Sequence, residues 1–66
     1  MASELAPELS SMASSLEDLV RRVTAMAETK AGTPEDWVAQ ELFEVERAVA
    51  EAVRRLDSLG RHLRRG

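Results

Sequence analysis

The chain has no cysteine, no tyrosine and no isoleucine, and only one tryptophan, one phenylalanine and one histidine among its 66 residues. The missing cysteine excludes a disulfide staple, a thiolate nucleophile and a cysteine metal site, and it fits a reducing compartment. With glycine at three positions and proline at two, little of the chain is built to turn. No apolar run approaches the roughly 18 residues a membrane span needs, and no basic segment leads into an apolar stretch as in a signal peptide. The expected location is the cytoplasm, with no membrane contact.

Catalytic chemistry is equally short of material. His62 lies among arginines with no serine or carboxylate placed to make it a base, so it reads as an exposed cation near a helix end. Glu41, Glu44, Glu46 and Glu51 look at first like carboxylate ligands, but the Glu-x-x-His spacing of di-iron bundles is absent and these acids fall on different sides of a helix. Spacings of three and four instead pair Asp18 with Arg21 or Arg22, Glu44 with Arg47, Arg47 with Glu51, and Glu51 with Arg54 or Arg55 as solvated ion pairs. No catalytic residue, metal site or cofactor site is assigned, and the chain is not expected to be an enzyme.

What the sequence does contain is a heptad pattern, twice. Leu5, Leu9, Met12, Leu16, Leu19, Val23 and Met26 alternate in steps of 4 and 3, and Val38, Leu42, Val45, Val49, Ala52, Leu56, Leu59 and Leu63 repeat the alternation. Pro7 is tolerated only in a first helical turn, which places the first helix at about 7–31 with a start between Ser3 and Glu8. Lys30 and Gly32 supply C-terminal signals. Thr33 is an N-cap candidate, Pro34 suits the first helical position, and Thr33-x-x-Asp36 approximates a capping box. The second helix is therefore expected over about 34–63, after a turn at 32–33. The predicted fold is all-α: a single domain formed by a two-helix antiparallel hairpin. Met26 is expected to face Val38, Leu19 to face Val45 and Leu5 to face Leu59, with Met12 and Met26 filling the core.

A chain this short buries only about 60% of the surface its unfolded form exposes. Oligomerisation is the remaining route to stability once disulfides and metals are excluded. Beside the seam, Ala6, Ala13, Val20 and Ala27 widen the apolar stripe of the first helix. Ala39, Phe43 and Ala50 flank one side of the second, and Trp37, Ala48 and Ala52 the other. One hairpin partner covers only a narrow stripe, so a homodimer closing into a four-helix bundle is expected, with Phe43, Trp37, Ala13, Val20, Ala39 and Ala50 at the interface. Trp37 has the alternative of an exposed anchor for a different protein, and Ser10, Ser11, Ser14 and Ser15 form a small uncharged face that is solvated or a docking surface.

Charge is uneven along the chain. Net charge is −3 overall, but residues 1–32 carry −2, residues 33–53 carry −5 and residues 54–66 carry +4. Arg54, Arg55, Arg61, Arg64 and Arg65 complement the negative end of the second helix and are candidate contacts for an acidic partner or a phosphate. The function expected is that of an adaptor, docking module or regulator acting through protein–protein contacts, free-standing or as a segment of a larger protein. A nucleic-acid-binding regulator using these arginines is the alternative, disfavoured by the acidic balance and the lack of interleaved aromatics.

Overall fold

The computed structural model describes residues 4–65. Two helices, α1 (Leu5–Lys30) and α2 (Asp36–Arg65), pack against each other as an antiparallel hairpin, and there is no strand among the described residues. The molecule is a rod of 54 × 14 × 9 Å. Its radius of gyration of 15.3 Å exceeds the roughly 11 Å of a compact domain of this length. Among the described residues, no helix is long and apolar enough to cross a membrane.

The turn follows its sequence signals closely. Ala31 leaves the helix with an extended backbone, and Gly32 takes a positive φ of 77°, which a side chain would strain. The Thr33 hydroxyl donates to the Lys30 carbonyl (2.6 Å) and accepts from the Glu35 amide (3.1 Å). The Asp36 carboxylate accepts from the Gly32 amide (2.8 Å), so the reciprocal capping reaches one residue further back than the expected box. Pro34 and Glu35 form a tight turn closed by the Asp36 amide on the Thr33 carbonyl (2.9 Å), which delays the regular start of α2 to Asp36. Pro7 sits in the first turn of α1, where its missing N–H has no helical acceptor to lose, and the helix begins two residues ahead of it. Ser3, the earliest expected start, lies outside the described residues.

The seam between the helices is not the one expected from the sequence. Ala6, Ala13 and Ala27 are buried at 3%, 2% and 0% exposure, and Ala39 at 0%, whereas Leu5, Met12, Leu19 and Met26 stand in solvent. Each helix carries three adjacent rows, apolar except where Glu46 and Gly60 interrupt the inner row of α2. A shared row (Leu9, Leu16, Val23; Leu42, Val49, Leu56, Leu63) is flanked by a small inner row (Ala6, Ala13, Val20, Ala27; Ala39, Glu46, Val53, Gly60). On its other side runs a larger outer row (Leu5, Met12, Leu19, Met26; Val38, Val45, Ala52, Leu59). The hairpin closes on the shared and inner rows. Small side chains let the two backbones approach, so that the shared leucines and valines interdigitate, which a seam of leucine and methionine would hold apart. Met12 and Met26 are thus not core filler but exposed, and Leu5 and Leu19 do not enter the seam.

Candidate interaction surfaces

Rotation of the seam gives the rod two unlike flanks. Because the helices run antiparallel, rows in the same heptad position come out on the same flank. One flank joins the two outer rows, and its large members Leu5, Met12, Leu19, Met26, Val45 and Leu59 are between 39% and 56% exposed. This flank is apolar along its whole length. Among the described residues, no large side chain is fully buried anywhere in the chain.

The opposite flank mixes charged and apolar side chains. An open groove of about 320 Å³ runs between Glu17, Val20 and Arg21 of α1 and Ala50, Val53, Arg54 and Asp57 of α2. Above it the Thr24 hydroxyl donates to the Glu46 carboxylate across the helices. Phe43 shares the heptad position of Ala50, so it lies half-buried on this flank, away from the leucines and methionines.

The six residues expected at an oligomer interface are therefore dispersed. Ala13, Val20 and Ala39 belong to the seam inside the chain, so Ala13 and Ala39 have no surface left for a second copy. Ala50 lines the groove of the opposite flank and Phe43 neighbours it. Trp37 is 68% exposed near the turn and packs neither beneath it nor into the apolar flank. The residues that do share one exposed apolar surface are those placed in the core from spacing alone. Side-chain volume, large in the outer row and small in the inner, was the signal that could have separated them.

The five arginines also divide. Arg54 is held by Glu51 (2.7 Å) and Arg55 reaches the same carboxylate (3.4 Å). The hydrogen bond and charge of Arg54, helped by Arg55 and opposed by slight desolvation, hold the Glu51 carboxyl below its ordinary value near 4.5. Arg61, Arg64 and Arg65 are exposed and make no ion pair among the described residues, and the Arg64 guanidinium lies over Gly60. Ser10, Ser11, Ser14 and Ser15 are all exposed. Among the described residues, no three acidic, histidine or cysteine side chains converge as a metal site would require. Comparison of the chain with protein-family models, with curated proteins and with solved structures finds no match, so function is read from these surfaces.

Proposed function

We propose that the chain is a self-assembling helical hairpin whose apolar flank closes on a second copy to form a four-helix bundle. Through that assembly it acts by protein–protein contacts as an adaptor, docking module or regulator. The observation that carries this reading is the single continuous surface made by Leu5, Met12, Leu19, Met26, Val45 and Leu59. A soluble chain rarely leaves such a surface in water. The total accessible area, 4917 Å², exceeds by about 700 Å² the roughly 4,200 Å² expected of a compact chain of 7.3 kDa. That excess is close to the roughly 800 Å² each partner contributes to a standard interface.

Sedimentation equilibrium at micromolar concentration tests the reading. The expected mass is twice that of the chain, and Leu19→Glu, which sets a charge in the middle of the apolar flank, should return it to one. Phe43→Glu, on the opposite flank, should leave the dimer intact. A folded wild-type monomer throughout the concentration range would overturn the proposal. The exposed Arg61, Arg64 and Arg65 keep nucleic acid as the second reading. Its affinity would fall steeply with salt, whereas closure of the apolar flank would change little.

A further inference from the structure

Resting on that reading, we infer that the two hairpins dock antiparallel, with α2 against the partner's α2, and that charges along the rim of the apolar flank select this partner. Just outside each outer row runs a rim row: Glu8, Ser15 and Arg22 on α1, and Glu41, Ala48 and Arg55 on α2. Both rows read acid, small, base at seven-residue intervals. Ser15 falls midway between Met12 and Leu19, and Ala48 midway between Val45 and Ala52, so each small residue marks the centre of the apolar row beside it. A row of this kind is complementary to its own reversed copy. Turned end for end, α2 sets Glu41 opposite the partner's Arg55 and Ala48 opposite the partner's Ala48, while α1 sets Glu8 opposite the partner's Arg22.

The intrachain pairing of charges points the same way. Asp18 with Arg21, Glu44 with Arg47 and Glu51 with Arg54 satisfy one another away from the rim. Glu8, Arg22 and Glu41 have no ion-pair partner among the described residues, and Arg55 has only its 3.4 Å contact with Glu51. The rim charges are thus left available on both sides of the apolar flank. Their order excludes an arbitrary apolar partner and suits another copy of the same hairpin.

Orientation is decided at the ends of the rod. Parallel docking, α2 against the partner's α1, would also match the rim rows, because both have the same order. It would, however, place Arg61, Arg64 and Arg65 of both copies at one end and both acidic turns at the other. Antiparallel docking lays each arginine cluster over the partner's Glu35 and Asp36, joining the +4 stretch of one chain to the −5 stretch of its partner.

Charge exchange on α2 alone distinguishes the arrangements, with sedimentation equilibrium as the readout and helical circular dichroism as the control for folding. Glu41→Arg faces the partner's Arg55 twice in the dimer and should weaken association about tenfold. Adding Arg55→Glu restores both contacts if α2 meets α2, and association should return to within about threefold of wild type. In a parallel dimer the double exchange would instead oppose the partner's unchanged Glu8 and Arg22, and further weakening would overturn the inference. A second measurement does not depend on affinity. Ala48→Cys alone, treated with a short bis-maleimide, should yield a covalent dimer, whereas a parallel dimer would cross-link only when Ala48→Cys is mixed with Ser15→Cys. If Leu19→Glu splits the dimer but neither the exchange nor the cross-link behaves as stated, self-assembly stands and the antiparallel rim falls. If the wild-type chain is monomeric, the underlying reading falls with it.

Discussion

Glu46 occupies a position of the inner row of α2 that its counterparts fill with Ala39, Val53 and Gly60, and it is half-buried there. The carboxylate is tolerated because Thr24, on the other helix, donates its hydroxyl to it. Thr24→Val should therefore lower stability by about 1 kcal/mol, and adding Glu46→Leu should regain most of that loss by removing the polar group left without a partner. Urea denaturation of the two variants at one protein concentration checks the pair; a double variant no better than the single would show that Thr24 does not support Glu46. Glu51 is the other instructive carboxylate. Its folded value is lowered, so its contribution is fully present above the ordinary value near 4.5 and is lost as pH falls through the lower folded value. Glu51→Gln should lower the thermal midpoint slightly at pH 7 and leave it unchanged near pH 2. The Glu51 pairs with Arg54 and Arg55 were legible in the sequence because helical spacing alone makes them; the Thr24–Glu46 bond was not, because it needs a second helix to exist.

Helix lengths and the turn follow from local chemistry: a proline confined to a first turn, a glycine with positive φ, a threonine and an aspartate satisfying free amides. Which face of each helix enters the seam is set by volume. Ala27 is fully buried between the helices, so Ala27→Leu should overpack the seam and cost about 1–3 kcal/mol, visible as a lower thermal midpoint. An unchanged midpoint would mean that the helices do not approach along this row. Gly60 offers the opposite case. It is the only interior glycine of α2, and a methyl group there would meet only the Arg64 guanidinium, at 3.6 Å, an ordinary contact. Gly60→Ala should raise stability by about 0.5–1 kcal/mol through helix propensity, measured by the same thermal melt.

At the scale of the whole molecule, the buried apolar side chains among the described residues are alanines and two valines, the shared-row leucines are half-buried, and the outer-row leucines and methionines are exposed. Folding and association are then linked. The thermal midpoint should rise with protein concentration, and Leu19→Glu should abolish that dependence while lowering the midpoint itself. A midpoint independent of concentration in the wild type would separate stability from assembly. The arginine-rich end of α2 and the acidic turn matter at this scale too, since a rod with opposite charges at its two ends carries a preference for how a copy lies beside it.

The sequence by itself determined that there are two helices, where they turn and most of the charge pairs along each, because those properties depend on neighbours within a few residues; Arg47, expected to reach both Glu44 and Glu51, pairs with Glu44. It also placed three apolar rows on each helix without saying which two would close the hairpin. That choice belonged to tertiary structure. Steps of 4 and 3 run through both the shared-plus-inner and the shared-plus-outer seams, with Glu46 and Gly60 interrupting the inner row of α2, and only the packing of one helix against the other weighs the small row against the large. By burying the alanines, packing kept the shared-row leucines in the seam and turned Leu5, Met12, Leu19, Met26, Val45 and Leu59, first read as core, into the exposed flank on which the proposed assembly rests.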